Sequence, residues 1–472
     1  MNETFNRKYN ELIAPLYGSR RDKEYDKCLL SDNVIPHTYS VEDRVDMTNY
    51  STYSIDPDGC DDADDAFSIY TENEKLFLAI HIADPTEFIN PYSTLWKDIE
   101  KRVITRYPSN QKPIHMIPEE IMEKSSLMSN DYGDIKNAIT ILTEISTSTF
   151  KPVNRITLLF TKVKVSIENS LSYVAAGDLL ESGHYEMVNG EKICDALISI
   201  RREKTKGVIL NEVSASYPKY SSSGGNGPPT LHKDTPGERK MKQMIAEFAI
   251  FANSFIGEYL KINFNGIGMY RVCAAQEWLN TVYDGISGPD LLNEIIVNGI
   301  KADYLSSVQS HDLVGAPEYC HFTSPIRRLS DCICHYLLKF IHIRESNKNV
   351  LVPFVNTQLE QYAISCVKTT KSMKNIQYKD TKFRLIQTIN HMLEIQELVK
   401  IKYYISSYTG TFLNIIICKI NFHSVYISYT LRRHSLTTPF IIKEEKELTI
   451  SKVNCMGKYD EGSIPELDNL FQ

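Results

Sequence analysis

The sequence predicts an α+β fold that ends in a small OB-like β-barrel. Three observations lead there. Apolar and β-branched runs around polar turns read as hairpins at residues 66–83 and 139–167. Amphipathic helical spacing then recurs between residue 240 and about residue 400. Short strands with turn residues between them follow from residue 406.

Bulk properties limit the function. The chain has 472 residues, 42% hydrophobic and 24% charged, enough for two or three domains with a large core. It contains no apolar run of membrane-spanning length and no cleavable signal in residues 1–17, so an intracellular, cytoplasmic protein is expected. Ten cysteines are scattered without metal-site spacing, which argues against zinc and disulfides. The net charge of −7 is not that of a simple nucleic-acid binder; binding RNA would need a locally basic channel, with the acidic excess partly offset by metal.

Residues 1–43 are polar, with few periodic apolar positions, and are expected to be a short lead-in. The most informative stretch follows at residues 54–66, S-I-D-P-D-G-C-D-D-A-D-D-A. It holds six aspartates: Asp56, Asp58, Asp61, Asp62, Asp64 and Asp65. Carboxylates this close repel one another and are costly to bury unpaired. Hard divalent cations, Mg²⁺ above all, are their natural counter-ions. Pro57 and Gly59 impose a turn that lets distant aspartates converge. A solvated acidic loop is the plainer alternative. The strand after residue 66 gives the aspartates a rigid platform.

Downstream, residues 95–103 have roughly helical spacing and Tyr107 opens a loop. Residues 221–229 form a Ser/Gly/Pro-rich loop. Residues 240–260 carry an apolar stripe, with Glu247 to one side, either solvent-facing or facing a substrate. In H-F-T-S-P-I-R-R, residues 321–328, Ser324 before Pro325 predicts a helix start with Ser324 as N-cap. Arg327 would then lie in the first turn, where it and the helix end could hold a phosphate; a surface arginine pair is the alternative. Residues 362–400 predict one or two long helices, with Lys368, Lys371, Lys379 and Lys382 within roughly an 80° sector, a local basic face.

Together these motifs resemble the RNase II/RNase R family of exoribonucleases, whose catalytic module is the RNB domain. The resemblance runs from about Arg44 to Leu338. The family's R-x-D-L-T stands as R-V-D-M-T at residues 44–48, and T-I-D-x-x-x-A-x-D-x-D-D-A as residues 54–66. H-I-A-D-V-S is similar to residues 81–86, I-P-M-L-P-E-E to residues 113–120, and C-S-L to residues 125–127. Residues 167–173 look like the strand leading to L-T-Y, residues 247–253 resemble E-F-M-L-L-A-N, and residues 270–272 resemble the start of Y-R-V-H. H-F-T-S-P-I-R-R is unchanged.

The resemblance implies an RNB fold, a mixed β-sheet surrounded by helices. It implies a catalytic domain at residues 44–345, a helical extension at 346–405, the barrel at 406–457 and a tail at 458–472. It implies that Asp56, Asp62, Asp64 and Asp65 bind metal and that Asp64 is tied most closely to the chemistry. Arg327 would contact the scissile phosphate, Tyr107 would stack on the terminal base, and Tyr173 and Glu247 would lie near the terminal nucleotides. Two Mg²⁺ ions, or Mn²⁺ in their place, would serve 3′→5′ hydrolysis of single-stranded RNA to nucleoside 5′-monophosphates by a monomer. Asp58 and Asp61 carry no implied role. About 45 residues precede the motifs, too few for the family's cold-shock domains, so a weaker grip on RNA and lower processivity are expected. A catalytically weak RNA-binding or partner-binding subunit is the alternative. A calcium-binding acidic loop is a third reading, but it leaves the S-P-I-R-R block unexplained.

Overall fold

A five-stranded sheet organises the first half of the chain. The computed structural model describes residues 2–153, 156–205, 215–220, 227–281, 291, 294–295, 299–346, 348–395, 398–433, 439–457 and 461–470. Its early strands are β1 (Val45–Asp46), β2 (Ser54–Asp56), β3 (Asp65–Glu72), β4 (Lys75–Ala83), β5 (Ile135–Ile145), β6 (Thr157–Lys164) and β7 (Ser170–Ser172). The sheet order is β1-β6-β5-β4-β3, antiparallel except for the parallel β1–β6 pair. Both expected hairpins are present; Arg155, in the second, lies outside the described residues. Asn73 and Glu74 turn the first hairpin with φ of 49° and 64°, the left-handed pair that suits strand twist. His81 is buried, hydrogen-bonded to Ser68 at 3.0 Å and Thr140 at 2.8 Å across adjacent strands. Burial lowers its pKa to about 3, so it is a neutral core residue.

Two local devices bring later elements to the acidic stretch. β2 pairs in parallel with β7, setting Asp56 opposite Ser172. Ser172 caps the helix Tyr173–Glu181, its Oγ accepting the Ala175 N–H, so Tyr173 starts next to Asp56. That helix meets the helix Pro236–Phe264 at Gly177 and Gly237. A Cβ on Gly177 would lie 2.9 Å from the Gly237 carbonyl carbon, so the approach requires glycine. A Thr235/Glu238 capping box starts the longer helix.

The helix Leu329–Glu345 is buried along nearly its whole length beside this sheet. One 39-residue helix, Asn356–Glu394, spans most of the stretch where one or two were expected. The expected basic face is broken: Lys368, Lys371 and Lys379 are exposed, but Lys382 is buried with its ammonium 5.1 Å from the Tyr429 ring. A cation lands there because the C-terminal sheet packs on that end of the helix.

The expected OB-like barrel is, among the described residues, an open sheet. Its strands, Val399–Tyr408, Phe412–Ile420, His423–Arg432 and Lys446–Ile450, run antiparallel, with Val399–Tyr408 between the second and the fourth. It begins at Val399, ahead of residue 406. Closure is replaced by cover: Leu385 and Ile389 of the long helix, with Ile464 and Leu467, share a core with the strands. Within the expected tail, Pro465–Asn469 is helical, and residues 458–460 and 471–472 lie outside the described residues. So do residues 221–226 of the Ser/Gly/Pro-rich loop.

The N-terminal lead-in is structured. The helix Asn2–Leu12 and the turn Ala14–Tyr17 bury Tyr9, Ile13 and Tyr17 in a separate cluster with Ile114, Tyr220, Met373 and Phe383. Among the described residues, no helix is long and apolar enough to cross a membrane.

Candidate active site

The acidic stretch leaves β2 at Asp56 and returns to β3 at Asp65. Between them, Gly59 (φ 76°) turns the chain, and the Cys60 N–H donates to the Pro57 carbonyl at 3.1 Å. Asp58 and Asp61 lie on the exposed side of this loop. The other half is pinned. Ala63 donates its N–H to Ser126 Oγ (3.0 Å), its carbonyl accepts the Leu127 N–H (3.0 Å), and the Asp64 carbonyl accepts the Ala83 N–H (2.8 Å). Asp62 and Asp64 are therefore buried, at 5% and 3% exposure.

The H-F-T-S-P-I-R-R block meets this loop, but not as the start of a helix. Residues 325–327 form a turn, closed by the Arg327 N–H donating to the Ser324 carbonyl at 3.3 Å, and the helix begins at Leu329. Tertiary partners outcompete the helix. The Ile326 N–H donates to Asp64 Oδ1 (2.7 Å), the Arg327 carbonyl accepts the Thr105 N–H (3.0 Å), and the Ser324 N–H donates to Asp331 Oδ1 (2.8 Å). The fixed φ of Pro325 suits a turn as well as it suits a helix start. Arg327 is thus ahead of the helix end, and the expected joint phosphate cradle reduces to its guanidinium. Its Nε donates to Asp64 Oδ2 at 3.0 Å and its Nη2 to Ser324 Oγ at 3.0 Å.

All eight residues singled out from the sequence line one cavity of about 640 Å³: Asp56, Asp62, Asp64, Asp65, Tyr107, Tyr173, Glu247 and Arg327. Tyr107 donates its hydroxyl to Asp62 Oδ2 at 2.7 Å, with its ring partly exposed. Glu247 is not solvent-facing. It is 2% exposed and paired with Arg201, whose Nη2 and Nε lie 2.5 and 3.1 Å from its two oxygens.

Residues 44–343 match the RNB domain. The chain belongs to the RNB domain family. The exosome complex exonuclease RRP44 homolog A of Arabidopsis thaliana is 25% identical over 348 residues, covering 64% of this chain and 36% of that protein. Ribonuclease R 1 of Lactococcus lactis is 22% identical over 388 residues, covering 71% of this chain and 46% of that protein. The matched stretch thus spans less than half of either relative. Among solved structures, an active-site mutant of the Dss1 exoribonuclease from Candida glabrata superposes with a TM-score of 0.73 at 16% identity, covering 94% of this chain and 58% of that one. Mycoplasma genitalium RNase R in complex with ribose-methylated single-stranded RNA gives 0.68 at 16% identity, covering 96% and 74%. Yeast Ssd1, a pseudonuclease, gives 0.62 at 15% identity, covering 82% and 50%. These structures share the RNB fold.

Several residues that shape this RNB site were given no role from the sequence, although Asn253 closes the block at residues 247–253. Asn253 accepts the Phe322 N–H (2.8 Å) and donates to Tyr319 and Thr323 (3.2 and 3.3 Å), tying the block at 321–328 to the helix Pro236–Phe264. Asp331, fully buried, orients Arg328 at 2.8 Å. Arg201 is 46 residues from Glu247, so only the fold pairs them.

The hard oxygen donors of Asp56, Asp62, Asp64 and Asp65 suit a divalent cation in kind, but among the described residues the three-residue group whose ligand atoms all lie within 4.8 Å of one another is His232, Asp234 and Glu238. Asp56 Oδ2 is buried with no hydrogen-bond partner. Burial, then the charges of Asp65 and Asp62, push the Asp56 carboxyl up to about 7. Burial pushes Asp65 up to about 6 against the pull of Arg327 and Arg328, and pushes Asp64 well above the usual range against Arg327. A hard divalent ion bound to such oxygens would compete with their protons.

With folded values of about 7 and 6, Asp56 and Asp65 bind more protons in the folded chain than in the unfolded one from about pH 4 upward. These groups therefore cost stability as pH rises toward 7. A bound cation reverses that cost. The rise in Tm on adding Mg²⁺ should be small at pH 5 and large at pH 8, with apparent affinity growing on the order of tenfold per pH unit between about pH 5 and 7. Thermal denaturation at both pH values checks this; an equal shift at each would contradict it.

Proposed function

We propose that this chain is a Mg²⁺-dependent 3′→5′ exoribonuclease that hydrolyses single-stranded RNA to nucleoside 5′-monophosphates. The observation that carries this reading is the convergence of Asp56, Asp62, Asp64, Asp65 and Arg327 on one cavity. Membership of the RNB family supports the substrate class. In the reaction, a water oxygen attacks phosphorus and the P–O3′ bond breaks. The departing oxygen takes a proton to leave a new 3′-hydroxyl on the shortened strand.

Divalent cations held by the aspartates, two on the proposed mechanism, would activate the water and stabilise the leaving oxygen. Arg327, released from Asp64, neutralises charge on the phosphoryl oxygens. The partly exposed Tyr107 ring offers a stacking face to the terminal base without reading its identity. Tyr173, at a helix start beside Asp56, also lines the cavity.

The test is a 5′-labelled single-stranded RNA incubated with the chain. Mg²⁺-dependent shortening from the 3′ end, lost with a chelator, is expected. A non-hydrolytic RNA-binding role is the second reading, favoured by the fold shared with the Ssd1 pseudonuclease. Binding without shortening would establish that reading and overturn the first.

A further inference from the structure

Asp380 lies on the helix Asn356–Glu394, beyond residue 343 where the RNB match ends. It is 1% exposed, yet its carboxylate is fully engaged. Oδ2 accepts the hydroxyls of Tyr9 (2.9 Å) and Tyr17 (2.8 Å) and the Ser109 N–H (3.2 Å). Oδ1 accepts Ser109 Oγ (2.6 Å) and Arg384 Nε (3.0 Å). Tyr9 and Tyr17 precede residue 44, where the RNB match begins. Ser109 sits two residues after Tyr107, whose hydroxyl reaches Asp62. One buried carboxylate therefore joins both flanks of the catalytic domain to the loop that carries Tyr107.

The loop has further ties to the same N-terminal segment. Arg106 Nη1 donates to the Tyr17 carbonyl (2.8 Å), and Gln111 Nε2 to Asn10 Oδ1 (2.8 Å). The Tyr9 ring stands edge-on to Phe383, 5.8 Å between centroids, so the clamp is braced by packing. A loop position held on its own would sample several backbone states; ordering it before RNA arrives spares that cost on binding.

We propose that Asp380 is a positioning residue that locks the Tyr107 loop, so that segments outside residues 44–343 set where the terminal base stacks. This rests on the nuclease reading above. The experiment is a double-mutant cycle of Asp380→Asn and Tyr107→Ala, with KM and kcat measured on a 5′-labelled single-stranded RNA. Asp380→Asn should raise KM about tenfold and change kcat less than about threefold, a loss comparable to one base–aromatic stack. In the Tyr107→Ala background the same substitution should change KM less than about twofold. An equal loss in both backgrounds, or none in the first, overturns the proposal. If Asp380→Asn does not fold, the Tyr9→Phe/Tyr17→Phe pair removes two donors while keeping both rings, and the same cycle applies. If the unmodified chain does not shorten RNA, only the nuclease reading fails; the cycle is then run on the equilibrium Kd for the same RNA, with the same two outcomes.

Discussion

Replacing Asp64 by Asn should lower the rate of RNA shortening by at least about 10³-fold while leaving the fold intact. The side chain is 3% exposed and does two things at once. Oδ1 accepts the Ile326 N–H, and Oδ2 holds Arg327 by Nε. Asn keeps the shape and one acceptor for Ile326, so the turn at residues 325–327 survives. It removes one negative charge from the cage and releases Arg327 from its ion pair. Because burial holds the Asp64 carboxyl well above the usual range, the neutral amide relieves a desolvation cost. The Tm of the metal-free variant should match or exceed that of the parent, and the Mg²⁺-induced rise in Tm should shrink. Shortening within tenfold of the parent rate would remove Asp64 from the chemistry. A collapse in Tm would make it a structural residue instead.

Asp64 also marks where the sequence could be read and where it could not. The hairpin after the acidic stretch was legible because its apolar runs flank a polar turn, whereas six aspartates in thirteen residues fitted a solvated loop as well as a cation site until the family resemblance divided them. The Ser324-Pro325 signal misleads for a physical reason: the same dipeptide starts helices and turns, and a charged acceptor 262 residues away decides between them. Lys382 shares a helical sector with three exposed lysines, yet packing of the C-terminal sheet buries it. Tyr9, Ile13 and Tyr17 recur every four residues, a stripe that was present but too short to stand out in a polar segment. Glu247 could be placed on a helix face, but its partner Arg201 lies on another helix, where no local rule reaches.

Asp84, in the block H-I-A-D, should behave in the opposite way to Asp64. It is fully buried and lies at the end of β4, one residue after the Ala83 amide that anchors Asp64. Its Oδ2 is 2.6 Å from Arg44 Nη2 and 3.0 Å from Lys339 Nζ, and the same two cations reach Glu87 at 2.7 and 2.8 Å. Two cations face two carboxylates, with side-chain exposures of 1%, 0%, 0% and 12%. Burial alone would raise the Asp84 carboxyl, but Lys339 and Arg44 outweigh it and hold it well below the usual range. Its contribution to stability is therefore present above about pH 4 and lost as pH falls through the folded value. Asp84→Ala leaves Arg44 and Lys339 against Glu87 alone in a dry site, at a cost of ~3–5 kcal/mol. Thermal denaturation should show Tm falling by roughly 5–8 °C, with the ~300-residue matched domain as the unfolding unit. Any molecules still folded should keep their Mg²⁺ response, because none of these four side chains lines the cavity that holds Asp56, Asp62, Asp64 and Asp65. A Tm within about 2 °C of the parent would show that the network contributes little. The motifs that identify the family thus divide by charge balance: around Asp56 and Asp65 carboxylates outnumber their cationic partners, and around Asp84 the chain supplies its own cations, which hold the sheet to the helix behind it.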